Sequence, residues 1–577
     1  MTVEPERPVI DRLGANLDLV ILGLLPFLLY AVNDTWTFIA PTGQIDPYIY
    51  TGYMRDLKEY VALYGETYYV SRLPNVVFGA LLHLALPATL ASLVLRFLLF
   101  YASLFALYGI VRVLWHNRVA AAITAALFCC QAYFLGAIAW DYVDGFAIAC
   151  ILATLFFLCL AVTSRYWQLA LVAAGFFAVT VVTLNIFLLL VVPVFAAWFF
   201  LLNARTGQRK LVDVAYYSFE GAAAAYLLYA AINIYLGGSF DYLGPQRNAA
   251  NDLRRTALDL SPDSFTLAGW LAFIAVGGIT AIALLTRLAV ARRQAAARLS
   301  DLEYRTAVAC IVALAAIAIF VGADLTIASP FHYPFYADLL YPFVALPLAA
   351  ALSLALTGAD VRSRWYLIPA VVVSLLLPFA TSLPDDLVPR PPSSGSWSYG
   401  LPLIATSVAL LTFAAARPRI ATVLAAVAVL SALNITMSQQ GTILLSGHDL
   451  AKSRARLVLD VDDALARVEG HDKLKYWYDL DEPLGSVFRG VASLHLWEHD
   501  LLSEDFPGLS APDGRERKLV APQRIAVLST TADAAERVNA VAAGHGVRAR
   551  VVFETQVRRG ADVIRVAVFE TEPLVPP

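Results

Sequence analysis

Long apolar stretches separated by short polar breaks fill the chain up to about residue 437. Many of them run for roughly 18 to 22 residues, the length that a helix needs to cross the hydrocarbon core of a bilayer. We therefore predict an α-helical polytopic membrane protein with about thirteen transmembrane helices. These helices are predicted at residues 17–32, 88–114, 119–138, 145–163, 167–183, 186–203, 212–236, 265–288, 306–327, 337–357, 366–383, 400–416 and 420–437.

After residue 440 the pattern becomes that of a soluble domain, with charged residues spread along it. The predicted strands are Lys473–Asp479, Arg524–Ser529, Val547–Glu554 and Asp562–Glu570, the last two as a hairpin around Arg559–Gly560. Between them, Thr531–Ala543 predicts a helix that stops at Gly544. We therefore predict two domains, a membrane module over residues 1–440 and a small α/β domain over residues 441–577.

The composition agrees with a membrane protein and excludes several other classes. Hydrophobic residues make up 59% of the chain and charged residues 15%, and the mean hydropathy is +0.66. The net charge of −3 gives no reason to expect binding of nucleic acid. All five cysteines lie in apolar runs, so we expect buried thiols rather than disulfides or a metal site. Residues 1–16 lack the pattern of a signal peptide, so the first apolar run is predicted to be a retained helix.

Basic residues in every second loop predict the orientation of the chain, because cytoplasmic loops carry an excess of Arg and Lys. These loops include Arg112, Arg165, Arg205, Arg287, Arg362 and Arg417. With a cytoplasmic N-terminus all of them lie inside, and the last helix leads to an extracytoplasmic α/β domain. A single miscounted helix would instead place that domain inside. The use of Ala, Leu and Arg is typical of a bacterium, so we expect the bacterial cytoplasmic membrane.

The loop from residue 33 to residue 87 is far longer than a simple connection between two helices needs to be. The spacing of its residues 46–64 predicts an amphipathic helix that lies on the bilayer surface. The loop contains Asp46, Tyr50, Arg55, Glu66 and Arg72. One interpretation is an acid and a base placed at the plane of the lipid headgroups. The alternative is a surface helix whose charges are only solvated.

Two carboxylates, Asp141 and Asp144, lie in a very short outer turn between two predicted helices. Ionisable groups at the membrane edge are costly and mark functional sites more often than chance. Together with Glu66 they are candidates for binding an acceptor, a sugar hydroxyl or a metal ion. For Asp144, capping of the following helix is an equally simple explanation.

A third group of candidates lies in later loops on the same predicted side. His332 and Tyr336 precede another predicted helix, where a plain aromatic belt is the alternative interpretation. Arg247 lies in the loop 237–264, where basic groups run against the usual topology and favour an anionic ligand. The sequence has no P-loop, no GxSxG elbow, no HExxH motif and no Cys/His metal spacing.

Together these features resemble the GT-C membrane glycosyltransferases, above all the aminoarabinose transferase and protein O-mannosyltransferase branch. In that branch the first outer loop opens with Asp-Glu-Ala-Arg-Tyr or a relative of it. Here the segment DPYIY at residues 46–50 stands in register. Asp46 and Tyr50 match the motif, but its Arg is absent, and Arg55 on the same helix would have to replace it.

The likeness covers roughly residues 17–357. Arg72, followed by Leu73 and Pro74, resembles the Lys-Pro-Pro of the family and would face the donor phosphate. Asp144 resembles the family's Asp at the start of the fourth helix, and Tyr336 resembles the Tyr of an Arg-Tyr pair before the tenth.

The resemblance implies a glycosyltransferase whose donor is a polyprenyl-phosphate sugar and whose acceptor hydroxyl belongs to a glycolipid, a glycan or a protein. Asp46 would be the general base, with inversion at the anomeric carbon. The donor phosphate and lipid would be bound by Arg72, Tyr50, Arg55, Arg247, His332 and Tyr336. No cofactor would be required, and a divalent metal is not favoured, although Asp141 and Asp144 leave that question open.

Two other classes of function stay open at this point. A transporter or flippase for a lipid-linked or small substrate would carry inverted repeats and helices broken at the midplane of the membrane. Neither feature is found in this sequence, and its ionisable candidates cluster in outer loops. A non-catalytic assembly protein would use the α/β domain as a binding module.

Overall fold

The protein is described by a computed structural model over thirteen stretches of the chain. They are residues 17–32, 35–37, 46–130, 132–139, 141–207, 209–256, 277–295, 299–327, 339–358, 448–468, 474–495, 501–503 and 521–574. The predicted helices 366–383, 400–416 and 420–437, and half of 265–288, lie outside these residues. So do two of the predicted site residues, His332 and Tyr336.

Helices account for nearly all of the described membrane module. They are α1 (Leu17–Val32), α2 (Asp46–Tyr64), α3 (Leu73–Ala85), α4 (Ala88–Trp115), α5 (Arg118–Cys129), α6 (Ala132–Ile138), α7 (Val143–Thr163), α8 (Trp167–Leu184), α9 (Val192–Thr206), α10 (Leu211–Tyr235), α11 (Gly244–Thr256), α12 (Ile279–Ala295), α13 (Asp301–Ile327) and α14 (Tyr341–Gly358). Short 3-10 helices at Thr35–Thr37 and Ile186–Val191 complete them.

Five helical segments of the described chain are long and apolar enough to cross a membrane: Ala88–Trp115, Val143–Thr163, Trp167–Leu184, Ile186–Arg205 and Asp301–Ala323. The chain is therefore a multi-pass membrane protein, as predicted, whereas the count of thirteen helices stays a prediction. The predicted helix 119–138 is two helices, α5 and α6. The predicted helix 186–203 begins as a 3-10 turn, where the Asn185 side chain accepts a hydrogen bond from the Phe187 N–H at 3.1 Å.

Small residues let neighbouring membrane helices approach closely. A Cβ atom on Gly221 of α10 would lie 1.8 Å from the Val172 carbonyl oxygen of α8. In the opposite direction, a Cβ atom on Gly175 of α8 would lie 2.1 Å from the Ser218 carbonyl oxygen of α10. Backbone contact through glycine is a common way to pack helices in lipid, where the hydrophobic effect does not drive their association. The close approach of α8 and α10 therefore depends on glycine at these two positions.

The C-terminal residues form a five-stranded sheet with helices on both faces. Its elements are α15 (His448–Leu465), β1 (Lys475–Tyr478), α16 (Gly485–Leu494), β2 (Leu501–Ser503), β3 (Gln523–Ser529), α17 (Ala534–Gly544), β4 (Val547–Arg559) and β5 (Asp562–Pro573). The strand order is β2-β1-β3-β5-β4, with β1 parallel to β2 and β3, and β5 antiparallel to β3 and β4. The predicted strands, the hairpin and the helix are confirmed.

Alternation of apolar residues along the strands builds a core on each face of the sheet. Tyr476 and Tyr478 of β1 pack towards α15 and α16, whereas Trp477 between them packs towards α17. This is the two-residue period expected of a strand that is covered on both sides. The core beneath α15 and α16 also contains Tyr48, which belongs to α2 of the membrane module. The sheet domain therefore packs directly on the surface helix of the first long loop.

Candidate functional site

Arg72 is the centre of a buried polar cluster at the beginning of α3. Its side chain is 1% exposed, and its guanidinium donates a hydrogen bond to the Tyr50 hydroxyl at 2.5 Å. A second guanidinium nitrogen contacts the Tyr68 hydroxyl. The guanidinium carbon lies 4.2 Å from the ring centroid of Tyr68 and 5.5 Å from that of Tyr142. Aromatic faces hold a cation in place without neutralising its charge. Arg72 therefore remains a positive charge in surroundings of low dielectric, where its electrostatic effect is strong.

Asp46 is the first residue of α2 and lies beside this arginine. Its Oδ1 accepts a hydrogen bond from the Tyr69 hydroxyl at 3.2 Å. Burial raises the pKa of Asp46 above its ordinary value of 3.8, although the charge of Arg72 and the Tyr69 hydroxyl act in the opposite direction. The carboxylate is therefore a stronger base than that of an exposed aspartate.

Asp144 is the third titratable member of the cluster. It is the second residue of α7 and is 1% exposed. Arg72 is the charged side chain that acts on it. Neither of its carboxylate oxygens has a hydrogen-bond partner within the described chain. The capping interpretation fails, because Tyr142 occupies the N-cap position of α7 and the Asp144 oxygens accept no backbone N–H.

Asp141 has a different role from its neighbour three residues later. Its Oδ1 forms an ion pair with the Arg96 guanidinium at 2.9 Å, and both side chains are 1% exposed. Its Oδ2 accepts hydrogen bonds from the hydroxyls of Thr51 at 2.8 Å and Ser92 at 2.9 Å. These contacts join α2, α4 and the turn before α7. Asp141 thus stabilises the elements that carry the cluster, and its predicted binding role stays a prediction.

The remaining predicted residues within the described chain lie in other ion pairs and loops. Glu66 accepts a hydrogen bond from the Asn233 side-chain amide at 2.6 Å and so fixes the end of α10. Arg247 forms a half-exposed ion pair with Asp241 six residues away. The structure therefore brings Asp46, Tyr50, Arg72 and Asp144 together, whereas Glu66 and Arg247 hold local loop structure.

Arg55 contributes to the joint between α2 and the sheet domain. Its guanidinium forms an ion pair with Asp462 of α15, whose other oxygen lies 2.8 Å from His495 Nε2. The Tyr60 hydroxyl donates to the Leu494 carbonyl oxygen at 2.8 Å. Burial opposes the ionisation of Asp462. The contacts with His495 and Arg55 outweigh this effect and lower the pKa of Asp462 to about 2. The joint is therefore an ionised contact at neutral pH, and it anchors the helix that carries Asp46.

A glycine makes this joint possible, and its replacement is expected to open it. A Cβ atom on Gly52 of α2 would lie 2.1 Å from the Leu494 carbonyl oxygen of α16. We expect Gly52→Ala to destabilise the protein by roughly 1–3 kcal/mol, because backbone on both sides cannot give way. Thermal unfolding of the purified protein in detergent measures this change.

Gly23→Ala is the matched control, because a Cβ atom on Gly23 of α1 meets nothing within 4 Å. Alanine is the better helix former, so this variant should be stabilised by about 0.5–1 kcal/mol. Equal melting temperatures for the two variants would show that α2 and α16 are not in close contact.

A cleft of about 840 Å³ lies between this joint, the beginning of α4 and the hairpin of the sheet domain. Charged groups of both signs line it, together with His83: Arg55, Asp56, Arg456, Asp460, Asp463 and Arg559. Apolar side chains such as Leu86, Leu90 and Leu93 line its membrane side. A cleft with one charged wall and one apolar wall suits an amphiphilic molecule at the membrane surface. In the described chain no group of three or more His, Cys, Asp or Glu residues is arranged to hold a metal ion.

Three tyrosines of the site, Tyr68, Tyr69 and Tyr142, could be identified only from the structure. In the sequence they look like interfacial aromatics, which are common at the membrane surface. Two tyrosines in succession, Tyr68 and Tyr69, shortly before Arg72 were the available signal. Asp462 and His495 could not have been linked to Arg55 from the sequence, because about four hundred residues separate them.

Comparison with known proteins gives a fold likeness at low identity. No family model and no curated protein matches the chain. It is similar to the crystal structure of ArnT from Cupriavidus metallidurans in the apo state, with 16% identity, a TM-score of 0.49 and coverage of 96% of this chain and 98% of that one. ArnT from the same organism bound to undecaprenyl phosphate gives 14% identity, a TM-score of 0.45 and the same coverage. ArnT is an aminoarabinose transferase of GT-C fold.

Proposed function

We propose that this protein transfers a sugar from a polyprenyl-phosphate donor to an acceptor hydroxyl at the outer face of the bacterial cytoplasmic membrane. The observation that carries the proposal is the pair of Asp46 and Arg72, a half-buried base of raised proton affinity beside a buried arginine held by aromatic rings. Both lie next to membrane helices, where a lipid chain can stay in the bilayer while its headgroup reaches the site. The basic-loop pattern supports a cytoplasmic N-terminus and an extracytoplasmic sheet domain.

The two charged groups divide the chemistry between them. The Asp46 carboxylate takes the proton of the acceptor hydroxyl as its oxygen attacks the anomeric carbon. The bond between that carbon and the phosphate oxygen breaks, and its electron pair leaves with the lipid phosphate. Arg72 stabilises the charge that develops on the phosphate, assisted by the positive end of the α3 dipole. Attack opposite to the leaving group inverts the anomeric configuration.

The environment of Arg72 supports its assignment to the phosphate. A guanidinium can bind two phosphate oxygens in parallel, and it stays charged when buried. The rings of Tyr68 and Tyr142 and the Tyr50 hydroxyl fix its orientation, so little entropy is lost when the phosphate binds. With such a fixed cation the departure of phosphate needs no metal ion.

Donor binding can be tested without knowledge of the sugar. We expect undecaprenyl phosphate to raise the melting temperature of the purified protein, because a ligand of the folded state stabilises it. Arg72→Met should lose this shift. Arg247→Met is the matched control, since Arg247 is exposed and paired with Asp241, and it should keep the shift. A wild-type protein that undecaprenyl phosphate does not stabilise would remove the support for the donor class.

The pH dependence of transfer should follow the ionisation of Asp46. Burial raises the pKa of this group. The base therefore becomes protonated, and inactive, at a higher pH than an aspartate with the ordinary pKa of 3.8. We therefore expect kcat/KM to fall on the acid side with a midpoint above pH 3.8. Initial rates across a pH series measure it, and a midpoint below that value would contradict the assignment of Asp46 as the base.

A further inference from the structure

Asn75 is a buried amide whose side chain has no partner in the described part of the fold. It lies in the first turn of α3, is 1% exposed, and neither its side-chain oxygen nor its nitrogen has a hydrogen-bond partner within the described chain. A buried polar group without a partner is costly, so most such groups are satisfied by protein, water or ligand. Asn75 therefore requires an explanation that the fold does not provide.

Its position on α3 directs it towards the cluster around Arg72. Residues three apart lie on the same face of a helix, so Asn75 follows Arg72 and precedes Phe78 along one row. At one end of this row the Arg72 guanidinium lies 5.5 Å from the Tyr142 ring, and at the other end the rings of Phe78 and Phe146 lie 5.7 Å apart. The row therefore runs along the beginning of α7, the helix that carries Asp144.

Asp144 provides a second, independent observation at the same place. Both of its oxygens are buried without a hydrogen-bond partner in the described chain, and Arg72 is the charged group acting on it. A carboxylate accepts hydrogen bonds, and an amide both donates and accepts them. The pair is therefore complementary to the hydroxyl groups of a sugar, which both donate and accept hydrogen bonds.

We propose that Asn75, together with Asp144, binds hydroxyl groups of the donor sugar while Arg72 binds the phosphate to which that sugar is attached. This inference rests on the proposed transferase function and adds a sugar subsite to it. Asn75 is then the residue that distinguishes a sugar-bearing lipid from the bare lipid phosphate. The hydroxyls of the sugar would satisfy both buried side chains at once.

Ligand binding to variants of Asn75 tests the subsite. The probes are undecaprenyl phosphate and the same lipid phosphate carrying glucose, mannose or arabinose, with affinities taken from thermal shifts. We expect the wild-type protein to bind at least one sugar-bearing probe more tightly than the bare one. Asn75→Leu should lose roughly tenfold in affinity for that probe, equivalent to one or two hydrogen bonds, and less than twofold for undecaprenyl phosphate. Asn75→Ala should behave in the same way if leucine is too large.

The melting temperature without ligand separates this role from a structural one. Removal of an unsatisfied amide should leave that temperature unchanged or raise it. Asn233→Leu is the matched control: its buried amide donates to Glu66 and to the Ser239 carbonyl, so this variant should melt lower and keep the sugar preference. The inference is overturned if Asn75→Leu melts as low as Asn233→Leu, or keeps the wild-type preference.

The wild-type protein provides one more decisive result. If it binds undecaprenyl phosphate but prefers no sugar-bearing probe, the sugar subsite is wrong and the phosphate site stands. If it binds none of the probes, the proposed function itself fails.

Discussion

Asp46→Asn is expected to lower kcat for sugar transfer by roughly 10²–10⁴-fold, the usual contribution of a general base. Asparagine keeps the size of the side chain and can still accept the Tyr69 hydrogen bond, but it cannot take a proton at neutral pH. Donor binding should persist, because Arg72 and its tyrosines are unchanged. The measurement is the initial rate with a saturating lipid-linked donor, together with the thermal shift caused by undecaprenyl phosphate.

Asp56→Asn is the matched control for this prediction. Asp56 lies on the same helix, α2, but its side chain is exposed and faces the cleft beside the sheet domain. Its kcat should stay within about twofold of the wild type if only the base matters for the chemical step. Unchanged transfer by Asp46→Asn would rule out Asp46 as the base, and an equal loss in both variants would indicate a general effect on α2.

The pattern of hydrophobicity was enough to predict most of the fold. Membrane helices such as α4 and α7 are recognisable because they combine length with an apolar composition, and strands such as β3 because they lie between turn signals. The break between α5 and α6 was missed, since both halves are apolar and the break has no proline. Hydropathy averages over such a break, whereas backbone geometry resolves it.

Sequence reasoning grouped several residues of the cluster around Arg72, but it could not identify the partners of each side chain. Asp46, Tyr50 and Arg72 share one loop, and the resemblance to a family placed them together before the fold was known. Arg55 was assigned to the donor on the same basis, but its guanidinium pairs with Asp462 of the sheet domain. A charged residue on a surface helix has many possible partners, and only the packing of distant segments decides among them.

The same limit explains why the two carboxylates of the turn before α7 could not be told apart. Asp141 and Asp144 are three residues apart and share the same membrane edge. Asp141 is paired because Arg96 projects from α4 at that level. Asp144 faces the cluster around Arg72 instead, and among the described residues its carboxylate has no hydrogen-bond partner. An arginine inside a predicted membrane helix was the signal that one of the two carboxylates would be needed as its counterion.

Arg96→Met should therefore be among the most destabilising single changes in this chain. It leaves the Asp141 carboxylate buried without its counterion, which costs roughly 3–5 kcal/mol in proteins where such pairs are broken. The loss should loosen α2 and the turn before α7, because Thr51 and Ser92 both donate to the same carboxylate. Thermal unfolding measures the loss, and donor binding should weaken with it because Asp46 and Tyr142 sit on the affected segments.

A charge-free double variant isolates the cause of this instability. Arg96→Met combined with Asp141→Leu removes both charges, so it should recover much of the stability that the single change loses. Arg118→Met is the exposed comparison, since the Arg118 side chain is 35% exposed in its ion pair with Asp18. It should cost little or no stability, because exposed ion pairs are screened by solvent. A double variant as unstable as Arg96→Met would mean that the packing of these side chains, rather than a lone buried charge, determines the stability of the site.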